Sequence, residues 1–295
     1  MPEWWLLLLM LPIGAFCSAY GTLIGAGGGF LLVPILLFIF PHLSASEVTS
    51  ISLAMAFFNA VSGSIPYLRL RRVDVRSAIF FATGTIPGAI IGVYIVALLS
   101  RHIFDPIFGI LLALIGLWTF FKPGSDRAGL DTEAEVIGSH QKGIMAWIGP
   151  ITRQQTERSG ITYTWTFNQG VAWAFNLLVG LIASIFGVGG GIISVPALIT
   201  FFNFPTYIAT ATSTFTLMIT TFSSVVTHIV SGKHGLLGDY ATVWPLTLMV
   251  IIGAIIGAQF GARLATKLKG SVIVRLLGGG LTFVGIRLIL KLFFP

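Results

Sequence analysis

Gly25-Ala26-Gly27-Gly28-Gly29 and Gly187-Val188-Gly189-Gly190-Gly191 are two copies of one glycine-rich string, 162 residues apart. Each leads into an apolar run in which a proline, Pro34 or Pro196, stands five residues after the last glycine. Each also interrupts a hydrophobic stretch long enough to enter a bilayer. In lipid every backbone N–H and C=O needs a partner, so two identical breaks are costly unless the exposed backbone is used. The pattern predicts two related halves with a binding site at the paired breaks.

The rest of the composition agrees. Of 295 residues, 55% are apolar and only 9% charged, and the mean hydropathy is +0.94. Soluble domains carry about 25% charged residues. The chain therefore reads as an integral, multi-pass protein of the cell membrane, with room for about eight to ten membrane-entering segments. The net charge of +7 is assigned to cytoplasmic loops, not to nucleic-acid binding. The single cysteine, Cys17, supports neither a disulfide nor a metal cluster. Glu3 stands where a signal peptide needs a cation, and Phe16 where a lipobox ending at Cys17 needs a small residue. The start reads as an uncleaved first helix anchored by Trp4 and Trp5.

Apolar segments run at 4–24, 30–40, 46–68, 77–99 and 104–121, then at 167–186, 192–202, 206–230, 241–262 and 272–294. They define a first transmembrane repeat (1–122), a polar cytoplasmic linker (123–165) and a second repeat (166–295). Other matches support duplication: Thr49-Ser50 with Thr212-Ser213, Gly88 to Gly92 with Gly253 to Gly257, and Gly116 with Gly285. Thirteen of the seventeen Lys and Arg fall near Arg69–Arg76, in or beside the linker, or at Arg263–Arg275. One topology puts all three groups in the cytoplasm. Each half is then a re-entrant helical hairpin broken by its glycines, followed by three transmembrane helices. Three crossings are odd, so the second half is inverted. The expected fold is thus all-α and polytopic, with two inverted repeats. Four crossings per half would make the repeats parallel, and would strand Arg263, Lys267, Lys269 and Arg275 outside.

Gly27, Gly28, Gly29, Gly189, Gly190 and Gly191 have two readings. Glycine lets backbone N–H groups converge on a ligand, and the next helix points its positive dipole end at the same place, which favours an anion. The other use is close helix packing. No Gly-Lys-Ser/Thr follows, so neither copy is a nucleotide loop. Thr49, Ser50, Ser52, Thr212, Ser213 and Thr214 open the helices after the hairpins. They are hydroxyl donors for an anion or ordinary helix-start residues. Asn59, one to two turns deeper, is a further candidate ligand. His228 is a coupling or interface residue. Arg287 either snorkels or binds an anion in transit. The glycines at 88, 92, 253, 257 and 261 read as helix packing. No buried carboxylate pair forms a proton relay, and Na⁺ coupling stays open.

No metalloprotease, Cys-His or Gly-x-Ser-x-Gly signature occurs, so no catalytic residue, metal or cofactor is expected. The expected partners are a small anion and the bilayer, with a homodimer left open. The duplicated Gly-x-Gly-Gly-Gly strings and their Pro-containing runs resemble the TauE/SafE family of membrane transporters. So do Ala209-Thr210-Ala211-Thr212-Ser213 and the Gly-Ala-x-x-Gly segments, and the resemblance spans nearly the whole chain outside the linker. Ser46 and Glu47 depart from the small neutral residues of the second half, against a strictly symmetric site. The resemblance implies secondary transport, often outward, of sulfite or organosulfonates. The alternative is a transporter or channel for another small anion.

Overall fold

The computed structural model describes residues 4–121, 149–231 and 240–293. Lys122, most of the expected linker and Lys291's side chain lie outside the described parts. The first half contains α1 (Trp4–Ile24), α2 (Gly29–Ile39), α3 (Ala45–Arg69), α4 (Val75–Val96) and α5 (Arg101–Phe121). The second contains α6 (Gln169–Phe186), α7 (Gly191–Thr200), α8 (Thr206–Ser231), α9 (Tyr240–Ala265) and α10 (Gly270–Phe293). Eight of these are long and apolar enough to cross a membrane; α2 and α7 are not. At about 1.5 Å per residue, α1 spans ~31 Å, while the 11-residue α2 spans ~17 Å. The expected hairpins are therefore lopsided: a full-length arm precedes each break and a half-length arm follows it.

Local chemistry accounts for the helix starts. Ser44 and Glu47 form a reciprocal capping box at α3: Glu47 N donates to Ser44 Oγ at 3.2 Å, and Ser44 N donates to Glu47 Oε2 at 2.7 Å. Asp74 accepts from Ser77 N at 3.1 Å and caps α4. Both caps satisfy amides that a helix leaves orphaned.

The halves interlock by exchange. α1 packs along α9, α4 along α6, α5 against α10, and α3 against α8. Glycine ladders make the first two pairs close. A Cβ at Gly253, Gly257 or Gly261 would sit 2.0–2.1 Å from the carbonyl oxygen of Leu11, Ala15 or Ala19. A Cβ at Gly84, Gly88 or Gly92 would sit 2.1–2.8 Å from that of Trp173, Leu177 or Leu181. Packing, the expected role of the glycines at 88, 92, 253, 257 and 261, is what the ladders do. Lipid supplies no hydrophobic drive between helices, so such backbone approach replaces it. Both ladders ascend together, so α1 runs parallel to α9, and α4 to α6. α5 and α10 run antiparallel, since Gly116 meets Thr282 while Ala113 meets Gly285.

These contacts also reset the match between halves. Gly253 corresponds to Gly84, one turn before Gly88. Thr49 lies on Gly187 as Thr210 lies on Gly25, so Thr49 pairs with Thr210 instead of Thr212. The spacing between matched positions is 161 residues at Thr49–Thr210 and 169 at Gly84–Gly253, so it changes between α8 and α9.

The expected linker is not featureless. Strands β1 (Pro150–Thr156) and β2 (Thr162–Asn168) form an antiparallel hairpin, so the fold is not purely α. Strand β2 alternates exposed and buried residues. Its Tyr163, Trp165 and Phe167 form one apolar face, which meets Phe204 at centroid distances of 5.0 Å (Trp165) and 5.2 Å (Phe167). Burial raises the Tyr163 phenol above its ordinary pKa; the Glu157 carboxylate adds to this and Arg72 opposes it.

The hairpin gathers the basic loops at one end of the molecule. Arg72 pairs with Glu157 through Nε and Nη2, both at 3.1 Å, and stacks on Tyr207 at 4.8 Å. Tyr207 donates to the Leu268 carbonyl at 3.1 Å. The Arg71 carbonyl accepts from Gln155 Nε2 at 2.9 Å. The segments around Arg71, Glu157 and Leu268 thus share one face. Arg101, beginning α5, instead donates to the carbonyls of Leu37 at 3.0 Å and Leu43 at 3.3 Å, where α2 turns into α3.

Candidate functional site

Each break folds back on the helix before it. Gly28 and Gly190 precede α2 and α7 with φ of 76° and 89°, the left-handed region that glycine occupies without strain. A Cβ on Gly28 would meet the Cys17 carbonyl oxygen at 2.4 Å; on Gly190 it would meet Val179 Cγ1 at 2.9 Å. The short helices thus begin beside the middle of α1 and α6, well inside the bundle.

The two breaks also touch each other. A Cβ on Gly29 would lie 2.4 Å from the Gly187 oxygen, and one on Gly191 would lie 2.2 Å from the Gly25 oxygen. The same pair of residues meets twice, with the halves exchanged. Ser52 Oγ donates to the Gly187 carbonyl at 2.6 Å, and Ser213 Oγ donates to the Gly25 carbonyl at 3.3 Å. Each hydroxyl satisfies a carbonyl that the preceding helix leaves open.

The amides at the starts of α2 and α7 have no such partners. Among the described residues, the N–H groups of Gly28, Gly29 and Phe30, and of Gly190, Gly191 and Ile192, donate no backbone hydrogen bond. Two sets of helix-start donors therefore lie near one another where the breaks meet. Leu217 closes the arrangement: Gly27 and Gly189 would place a Cβ 2.6 and 3.1 Å from its Cδ1. Its counterpart on α3, at the same 161-residue spacing as Thr49–Thr210 and Ser52–Ser213, is Ala56, which packs in the same small cluster with Ala60.

The remaining candidates divide. Ser52, Ser213 and Thr49 touch the opposite break. Ser50 instead donates to its own helix at the Glu47 carbonyl, 2.8 Å away, and Thr214 to the Thr210 carbonyl at 2.8 Å. Thr49 Oγ1 likewise donates to the Ser46 carbonyl at 3.1 Å, so only its backbone and methyl face Gly187. Thr212 Oγ1 accepts from Asp74 N at 3.1 Å and fastens α4 to α8. Back-bonding of this kind is what Ser and Thr do within helices. Asn59 is fully buried and gathers Ser18 and Thr22 of α1 at its Oδ1, two residues that sequence reading passed over. Only their spacing of one helical turn hinted that they share a face.

His228 lies buried in the last turn of α8, two turns beyond Thr221, which touches Gly189. Arg287 faces elsewhere. It stands 5.9 Å from the Phe38 ring in an apolar groove of about 720 Å³ between α2 and α10. Among the described residues, no cluster of three His, Cys, Asp or Glu could hold a metal ion.

Eight crossing-length helices around two fused helix breaks define a polytopic membrane protein with an internal polar centre. The family model described as "Sulfite exporter TauE/SafE" matches residues 10–288, and the chain belongs to that family. It is 29% identical over 288 residues to the probable membrane transporter protein YunE of Bacillus subtilis, covering 96% of this chain and 97% of that one. It is 27% identical over 249 residues to a probable membrane transporter protein of Xylella fastidiosa, covering 84% and 81%. It is 20% identical over 271 residues to the probable membrane transporter protein MJ0441 of Methanocaldococcus jannaschii, covering 90% and 88%. No solved structure matches. The protein is a multi-pass membrane transporter.

Proposed function

We propose that the protein is a secondary transporter that exports a small sulfur-containing anion, such as sulfite or an organosulfonate, by alternating access between two inverted repeats. The observation that carries this reading is the meeting of the two breaks, with unpartnered amides of α2 and α7 at the same place. Helix N-termini carry partial positive charge and bind anions through N–H groups. Such a site holds an oxyanion without the tight grip of a fixed cation, which suits a substrate that must leave again.

Inversion is supported by the directions of the paired helices. α4 leaves the basic end where α3 arrives, so α3 and α4 run oppositely. Parallel α1–α9 and α4–α6 pairs, with antiparallel α5–α10, are what two oppositely directed copies produce. The shared face of Arg71, Glu157 and Leu268 supports one cytoplasmic side for the basic loops. Rocking of one repeat against the other around fused breaks would expose the site alternately.

The test is counterflow of radiolabelled sulfite and sulfoacetate in proteoliposomes holding the full chain. Saturable exchange, inhibited by unlabelled sulfonate, is expected. Linear, non-saturating currents would instead indicate a channel and sink alternating access. Cysteine labelling at Arg71 and Lys267 should report the same side; opposite sides would exclude the inverted arrangement.

A further inference from the structure

On the outside of the bundle, α2 and α10 enclose the apolar groove of about 720 Å³, within the roughly 300–1,000 Å³ usual for ligand pockets. One wall is Leu31, Pro34, Ile35 and Phe38 of α2, the i, i+3, i+4, i+7 stripe of a single helix face. Phe38 and, across the groove, Phe283 of α10 are 65% and 69% exposed, so the groove opens sideways to lipid. Arg287 is the one charged residue in its lining. From Gly270 to Arg287 is 17 residues, ~26 Å at about 1.5 Å each. α10 starts beside the basic loops, so the guanidinium lies near the opposite face of the ~30 Å hydrocarbon core.

Arg101 lies at the same end, since α5 runs antiparallel to α10. It donates to the carbonyls of Leu37 at 3.0 Å and Leu43 at 3.3 Å, and pairs with Asp105 at 3.7 Å. Arg287 has nothing comparable. Among the described residues it makes no hydrogen bond or ion pair, and its guanidinium meets only the Phe38 ring, at 5.9 Å. A guanidinium carries five N–H donors, and a cation at membrane depth calls for an acceptor. Snorkelling to water accounts for the charge but not for the groove beside it. A second copy of the chain does not supply the acceptor from its described residues. Their carboxylates, Glu47, Asp74, Asp105 and Glu157, are each engaged within the chain.

We infer that this groove binds an anionic phospholipid of the leaflet away from the basic loops. Its phosphate accepts a pair of hydrogen bonds from Arg287, the bidentate geometry a guanidinium favours. One acyl chain lies along the Leu31–Phe38 stripe. A zwitterionic headgroup would bring its own ammonium, for which the groove lining holds no carboxylate. The lipid braces α2, the short arm whose Gly29 packs on the Gly187 carbonyl, so its binding raises the stability of the chain. The inference stands apart from the transport reading, since neither the transported anion nor its route enters it.

The test uses the purified full chain in detergent, titrated with phosphatidylglycerol or with phosphatidylcholine of the same acyl chains. Thermal unfolding and native mass spectrometry of retained lipid are the readouts. Phosphatidylglycerol should raise the Tm by several degrees and be retained about 10-fold better. Glycerol phosphate, which has the charge without the chains, should do neither. Arg287→Gln should weaken phosphatidylglycerol binding about 10- to 100-fold, the worth of hydrogen bonds to a charged group. Arg287→Lys keeps the charge but loses the paired geometry, and should fall between. Ile35→Trp should fill the groove and weaken retention with Arg287 intact; it decides the matter if the Arg287 variants do not fold. Equal retention of the two lipids by the wild type, or unchanged phosphatidylglycerol binding in Arg287→Gln or Ile35→Trp, would overturn the assignment. An equal effect of glycerol phosphate would overturn it in favour of a soluble-phosphate site. Efficient disulfide crosslinking of Phe38→Cys between two copies would overturn it in favour of a dimer face.

Discussion

The two halves of the molecule share a scaffold and differ in what they leave unfinished. Around each break the same contacts recur: glycine on the opposite carbonyl, serine on the same carbonyl, and a glycine ladder on the partner half's first helix. Away from that frame the halves diverge. Leu217 stands where the first half has Ala56, Thr220 stands where it has Asn59, and the β-hairpin precedes the second half. Each docking contact between the halves is made twice, so a change in one copy unbalances the pair. Positions off the docking frame were free to specialise.

The comparison is broken most severely at the docking glycines. Gly29→Ala and Gly191→Ala each drive a methyl to within 2.4 Å or less of a backbone oxygen on the other break, where no side chain can yield. Each should cost about 3 kcal/mol or more, and thermal unfolding in detergent should fall by similar amounts for both. A large drop for one alone would end the exchanged-pair picture. The next effect belongs to the element with no counterpart. Arg72→Met leaves Glu157 buried without its bidentate partner, at a cost of about 3 kcal/mol, read as lower Tm and protease cleavage near residues 150–168.

Leu217 sharpens the comparison functionally. Leu217→Ala should cost about 2 kcal/mol or somewhat more and let larger sulfonates exchange, because it empties the space both breaks share. Ala56→Leu should do the reverse and reduce uptake; unchanged substrate size dependence in both variants would remove Leu217 from the path. The smallest expected effects are Ser52→Ala and Ser213→Ala, each stranding one carbonyl for about 1–2 kcal/mol. Ser52→Ala should be the larger, since its bond is 2.6 Å against 3.3 Å.

Much of the architecture was legible along the chain. The ten apolar segments correspond to ten helices, with ends differing by a few residues, because hydrophobicity and helix length are local and the bilayer enforces both. The breaks were legible because glycine repeats stand out in an apolar background. The hairpin was not, although Thr162–Asn168 alternates in period two. Its surrounding charges read as a solvated linker, and what buries Trp165 is Phe204, 39 residues later. The matching of halves was off by one turn at Gly88–Gly253 and by two residues at Thr49–Thr212; Gly88 resembles Gly253 as well as Gly84 does, and only contact with an opposing carbonyl separates them.

The sequence by itself determined a membrane protein of two related halves, each broken by glycines that free backbone donors. Composition, length and repetition suffice for that, because they decide solvent and secondary structure. The tertiary structure alone decided that the breaks touch, that Ser52 and Ser213 face them while Ser50, Thr212 and Thr214 do not, and that Asn59 is held by Ser18 and Thr22. Those facts depend on which helix faces lie together across 37 to 188 residues of chain. No local pattern of hydrophobicity or propensity encodes that.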